Sequence, residues 1–262
     1  MQDLQTTCSG LCMLALPFSI VPSILWLLFF VHQDKHREKM KDVVKVFFWG
    51  IIIALPVVLV EVGFQEYVFA PFAALIFSEL AYSFIGISFV EEFAKYLVVR
   101  FRAMPYKFFD EPQDAMVYMI ASALGFSAIE NFVYALNFAG SASEVLQISI
   151  FRGVSATFLH VVASGTLGYF LALALETPKE RRKFFWVGLA LATLLHGVYN
   201  NFLMDLGHKI LNTQDTGGLF GALTIATLLI ISGIIIIIGI NKLTRIRFST
   251  QSNTTTQNYE QK

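Results

Sequence analysis

Apolar positions in this chain neither alternate with polar ones, as on a half-buried strand, nor recur every three or four residues, as on the stripe of a surface helix. They arrive in nearly unbroken blocks of about 20, the length a helix needs to cross ~30 Å of hydrocarbon. The blocks predict spans at 11–31, 44–62, 72–99, 115–138, 150–175, 184–206 and 219–240. The third is long enough to require tilt. The expected fold is all-α: a polytopic transmembrane helical bundle of about seven spans, forming a single transmembrane domain over 1–247. The segment 248–262 is polar and is expected to be a disordered tail.

Composition agrees with that pattern. Hydrophobic residues make up 56% and charged residues 15% of the 262, and mean hydropathy is +0.63, which excludes a water-soluble domain. The 19 Lys and Arg balance 19 Asp and Glu, so no field draws nucleic acid, and none is expected as a partner; the expected surroundings are the lipid bilayer. Two cysteines cannot build a disulfide framework. The opening MQDLQTTCSG lacks the basic residues of a signal peptide, so the first apolar block is expected to remain as a span.

Charge placement sets an expected orientation, because cytoplasmic loops collect Lys and Arg. Lys35, Arg37, Lys39, Lys41 and Lys45 follow the first predicted span; Arg100, Arg102 and Lys107 follow the third. Lys179, Arg181, Arg182 and Lys183 follow the fifth, and Lys242, Arg245 and Arg247 the seventh. Only Lys209 falls on the other side, which predicts an outer N-terminus and a cytoplasmic C-terminus in a multi-pass cell-membrane protein.

Ionisable groups inside a span are costly and mark function. Here they gather between residues 72 and 206, the expected catalytic core: Glu91, Glu92 and Lys95 on the third span, Glu130 and Asn131 on the fourth, Arg152 and His160 on the fifth, His196 and Asn200 on the sixth. Spans one, two and seven carry almost nothing comparable. Ser88, Glu91 and Lys95 share one helix face, as do Thr157, His160 and Ser164, and Thr193, His196 and Asn200. Counted from the cytoplasmic ends at ~1.5 Å per residue, Glu91 lies about 14 Å deep, His196 about 18 Å, Glu130 and His160 about 22 Å, and Asn200 about 24 Å, one band near the midplane. Blander readings exist for single members. Asn131 could be interhelical glue, Glu91 and Lys95 a simple i,i+4 ion pair, and Arg152, near a span end, could snorkel to the surface. Ala121 with Gly125 and Ser164 with Gly168 have small-xxx-small spacing and read as packing alone.

A Glu that accepts a proton, His to share it and an Asn to donate to an oxyanion are what water needs to attack an amide. Glu91, His160 and His196 would also make a three-ligand zinc site with water in the fourth position. The spacing alone does not choose between metal-dependent and metal-free chemistry; no cofactor is expected, with zinc the alternative. The competing reading is a proton- or ion-coupled transporter using the same buried Glu, His and Lys, against which stands the lack of repeated halves.

The ordered set Glu91-Glu92-x-x-Lys95, Gly125-Phe126-x-x-x-Glu130-Asn131, Arg152 leading to His160, and His196-Gly197-x-x-Asn200 resembles the PrsW family of intramembrane peptidases, distantly similar to the CAAX prenyl endopeptidase and Abi group. The resemblance implies a bacterial cytoplasmic-membrane endopeptidase of glutamate type, acting on a membrane-anchored protein such as an anti-sigma factor. It implies that Glu91 activates water with His160 or His196, that Asn200 holds the oxyanion, and that Lys95 orients Glu92, with Glu130, Asn131 and Arg152 in support. The CAAX group has Arg one position after Lys95, so which Glu pairs with the base is not carried over; helical spacing by itself favours Glu91 with Lys95.

Overall fold

The computed structural model describes residues 2–33, 38–72 and 77–212, with single positions at 227, 234 and 238, and side chains over 10–32, 38–72 and 77–201. Every regular element among the described residues is helical. In order these are α1 (Gln2–Gln33), α2 (Met40–Gly63), α3 (Ser78–Ala81), α4 (Val90–Arg102), α5 (Asp114–Phe138), α6 (Ala142–Val154), α7 (Ala156–Glu176) and α8 (Arg181–Asn212). Four stretches are long and apolar enough to cross a membrane: Gly10–His32, Met40–Phe72, Asp114–Phe138 and Ala142–Glu176. The seventh predicted span and the tail lie outside the described residues, apart from the three single positions.

Three elements differ from the sequence expectation. The second span does not end at 62: α2 passes into a π-helical segment, Phe64–Phe69, and a 3-10 turn, Ala70–Phe72, so Glu61 becomes interior to a longer helix. The third is shorter than expected and compound, with α3 and α4 joined by a π-helical segment, Tyr82–Phe89. The fifth begins eight residues earlier than expected, at Ala142, where Ser141 Oγ accepts from the Glu144 amide and Glu144 returns the bond to Gly140 N–H. It is then interrupted at Ser155, where α6 gives way to α7. Helix α8 covers the residues of the sixth predicted span.

Helix α5 is the hub. It is buried almost without interruption from Asp114 to Ala128, whereas α1 and α2 expose apolar side chains such as Leu25 and Leu59 outward, as lipid-facing helices do. Close approach depends on glycines. A methyl on Gly125 would strike the Phe47 carbonyl and one on Gly50 the Ser122 carbonyl, so α2 and α5 touch backbone to backbone. Gly168 of α7 also sits against the Met116 backbone of α5, and Gly197 of α8 sits under the Phe84 ring. Stacking of Trp26 on Phe158, and its indole N–H bonded to the Gly153 carbonyl at 3.1 Å, close α1 over α6 and α7. Gly125→Val should therefore cost about 1–3 kcal/mol by overpacking, read as a lower midpoint of detergent unfolding. Gly63→Ala, where a methyl meets nothing, should be neutral or stabilising.

Candidate active site

One buried ammonium organises the polar interior. Glu91, Glu92 and Lys95 fall on adjoining faces of α4 at i, i+1 and i+4, so the Lys95 Nζ reaches back to both acids, donating to Glu91 Oε2 at 3.0 Å and Glu92 Oε1 at 2.8 Å. It also donates to His160 Nδ1 at 2.8 Å and lies 4.5 Å from the centre of the Phe126 ring. Lys95 and Glu92 are fully excluded from solvent and Glu91 is 3% exposed. The spacing argument for Glu91 with Lys95 thus describes half of a shared arrangement.

Both imidazoles are held from behind by carboxylates. His160 Nε2 donates to Glu130 Oε2 at 2.6 Å, and His196 Nδ1 donates to Glu92 Oε1 at 2.9 Å. That leaves His196 Nε2 as a lone-pair donor 3.8 Å from Glu91 Oε2, whereas His160 Nδ1, 3.9 Å from the same oxygen, holds the Lys95 ammonium and would have to exchange it for a metal. One atom from each of Glu91, His160 and His196 lies within 4.8 Å of the others. Tetrahedral zinc with ligands at ~2.0–2.1 Å separates its donors by about 3.4 Å, against 3.8 and 3.9 Å from Glu91 Oε2 to the two imidazole nitrogens. Carboxylates on the rear nitrogens are what metal-bound His require to fix tautomer and ring orientation.

Arg152 does not snorkel. The interruption at Ser155 leaves it facing α5, 8% exposed, with Nη2 on Glu130 Oε1 at 2.6 Å, Nε on Asn131 Oδ1 at 2.8 Å and its guanidinium over the Tyr134 ring. Asn131 in turn donates to Thr157 Oγ1 at 2.8 Å and so joins α5 to α7 as interhelical glue within the network. Of the residues expected to be packing alone, Ser164 is a partner of the cluster, donating to Glu92 Oε2 at 2.6 Å. Ser88, expected on the active face, instead donates to the Ser83 carbonyl five residues back, inside the π-helical segment.

Asn200 stands apart. It lies one turn beyond His196 on α8, is half-buried, and has no hydrogen-bond partner among the described residues, while its neighbour Asn201 is tied to Ser83 Oγ at 2.6 Å and the Gly197 carbonyl. Thr193, one turn on the other side of His196, has a buried hydroxyl with no partner among the described residues. It lines an apolar cleft of about 300 Å³ together with Phe84, Phe89, Trp186 and Leu189.

Glu61 was missed by the sequence reading. From α2 its carboxyl group comes up against Glu91 and into the fields of Glu130 and Lys95, with Oε1 buried and unbonded among the described residues. An expected span end at 62 made it look like an interfacial residue; an apolar run extended through Phe72 would have made it intramembrane. Four carboxylates, Glu61, Glu91, Glu92 and Glu130, thus converge with two fixed cations, Lys95 and Arg152.

Comparison with known proteins identifies the family. The family model described as "PrsW family intramembrane metalloprotease" matches residues 38–240. A curated relative named Protease PrsW from Geobacillus kaustophilus (strain HTA426) is 29% identical over 186 residues, 71% of this chain and 77% of its own. Those of Clostridioides difficile (strain 630) and Bacillus subtilis (strain 168), also named Protease PrsW, are 30% identical over 190 residues and 25% identical over 193 residues. The first covers 71% of this chain and 77% of the relative, the second 73% and 83%. No solved structure matches. The arrangement generates its own test: Glu130→Ala leaves Arg152 Nη2 and the His160 N–H without their acceptor, and should destabilise by about 3 kcal/mol in reversible unfolding. Glu130→Gln combined with Arg152→Met should recover much of that loss.

Proposed function

The chain belongs to the PrsW family of intramembrane metalloproteases, and from that premise we propose that it hydrolyses a peptide bond in or near the membrane-embedded segment of a protein substrate at the Glu91, His160 and His196 cluster. The observation that carries this reading is the convergence of those three donors within 4.8 Å, from three separate helices. The family's description as metalloprotease favours metal-dependent chemistry over the metal-free glutamate mechanism that the sequence left as its expectation.

Glu91, His160 and His196 would hold the metal, with zinc the best match to one carboxylate and two imidazoles. When bound, it supplies Lewis-acid polarisation and a water that ionises near neutral pH. The protein's own groups do the remaining work. Glu92 and Glu130 keep the two imidazoles in the ligating tautomer, and Lys95 holds Glu91 and Glu92 in place as charges that burial would otherwise penalise. Asn200, with no partner among the described residues, is available to donate its amide N–H to the substrate carbonyl as negative charge develops there. Substrate in helical form has its carbonyls bonded internally, so it must unwind to present one here.

Domain limits and orientation follow the same reading: a single transmembrane unit over 1–247 with its basic loops in the cytoplasm, and a membrane-anchored substrate such as an anti-sigma factor by family resemblance. Membership in a protease family removes the reason to prefer a transporter. The decisive experiment is cleavage of single-span substrates by purified protein. Glu91→Gln should abolish turnover while leaving a folded, membrane-inserted protein with reduced bound zinc by elemental analysis; wild-type cleavage by that variant would overturn the assignment. Strong chelation should remove activity and zinc restore it. Asn200→Ala should lower kcat by about 10²–10³ with little change in KM, whereas Asn201→Ala should act on stability instead.

A further inference from the structure

The apolar cleft beside Thr193 adjoins the Glu91, His160 and His196 cluster. Helix α8 and the π-helical segment Tyr82–Phe89 form its walls, with Phe84 and Phe89 on one side and Trp186, Leu189 and Thr193 on the other. Leu189 is buried, whereas Trp186 and Leu194 are more than half exposed, so the cleft opens outward from the bundle. Thr193 precedes His196 by three residues, about 4.5 Å along the helix. The Phe84 ring both lines the cleft and covers Gly197, the residue after His196.

The wall that supplies the two phenylalanines is anchored at several points. Asn201 of α8 donates to Ser83 Oγ at 2.6 Å, the Tyr82 hydroxyl donates to the Glu61 carbonyl at 3.3 Å, and the Phe89 ring stacks on Phe93 with centres 5.8 Å apart. The cleft is therefore formed before anything enters it, as binding pockets usually are. If apolar surface were all it offered, a lipid chain would fill it as well as a peptide. Thr193 decides between them. Its hydroxyl is buried in the α8 wall and has no partner among the described residues, an arrangement that costs about 1–3 kcal/mol until one arrives. A hydrocarbon chain brings none. An unwound peptide brings carbonyl and N–H groups that have lost their helical partners and must find others away from water.

We propose that this cleft is a specificity subsite, which seats a large apolar side chain of the unwound substrate strand while Thr193 bonds that strand's backbone; the assignment rests on the proteolytic reading above. Along α8 the cleft runs from Thr193 to Trp186, about 5–15 Å from the level of His196. An extended strand advances ~3.3 Å per residue, so the seated side chain lies about two to four residues from the scissile bond, on the side toward the Arg181 end of α8. No charged side chain lines the cleft among the described residues, so Asp or Lys at that substrate position is rejected.

The probes are Leu/Ala single-span peptides of about 20 residues, each broken at mid-span by Gly-Pro and carrying Leu, Ala or Asp at successive positions beside the break. In full-length Glu91→Gln protein in neutral detergent, p-benzoylphenylalanine in place of Leu194 should cross-link the Leu peptide near its break on illumination. Excess unlabelled peptide should compete, and the same photoprobe in place of the outward-facing Leu59 of α2 should capture none. Capture of detergent alone, or of segment 213–262 of the same chain, overturns the proposal. In the otherwise native chain, Ala190→Trp, which fills the cleft from an exposed position, should raise KM for the Leu peptide about tenfold or more and leave the Ala peptide unaffected. Thr193→Val removes an unbonded hydroxyl, so it should keep the unfolding midpoint while lowering kcat/KM about fivefold. Unchanged kinetics in both variants, or equal losses for all peptides with Ala190→Trp, overturns the subsite. Capture at position 194 without cleavage by the wild type would instead remove the proteolytic reading and leave the docking site; cleavage without capture would do the converse.

Discussion

The interior of this bundle depends on keeping an ammonium where water cannot reach it. Lys95 is fully buried, and a lone charge there would cost several kcal/mol. Its partners Glu91, Glu92 and His160 offset that cost and pass the requirement outward. Glu92 needs Ser164 and His196; His160 needs Glu130; Glu130 needs Arg152; Arg152 needs Asn131 and the Tyr134 ring. The chain of dependence crosses α4, α5, α6, α7 and α8. Helices that would otherwise associate by van der Waals contact alone are thereby fixed in rotation as well as distance.

Distance is the task of the glycines. At Gly50, Gly125 and Gly168 neighbouring helices meet at backbone separation, which brings short side chains such as Ser164 within hydrogen-bonding reach of a carboxylate on another helix. Packing and chemistry are coupled: without the small-residue contacts the polar groups could not satisfy one another, and buried polar groups left unsatisfied would push the helices apart.

Helix content and most members of the buried polar cluster were legible in the sequence because both are local. An apolar block predicts a span whatever surrounds it, and an acid inside such a block is conspicuous. Relations between helices were less legible. Arg152 read as a snorkelling residue because nothing in its own segment announces that the helix is interrupted at Ser155 and delivers the guanidinium to Glu130. Ser164 read as packing because serine is both small and a donor, and only its neighbour decides which property counts. Glu61 was lost to an end point placed too early, since Gln65 and Glu66 broke the apolar run that α2 nevertheless continues.

The π-helical segment from Tyr82 to Phe89 carries a further consequence. Each i→i+5 turn accommodates one residue more than an α turn, so the direction in which α4 presents Glu91, Glu92 and Lys95, relative to the anchored Ser78–Ala81, is set by how many residues are counted through the segment. Gain or loss of a single residue there would rotate the downstream triad by about 100° while leaving every side chain in it chemically intact. The aim of these groups is in that sense written in phase as much as in composition, and related chains that keep the motif but change the count upstream would turn the same groups toward a different neighbour.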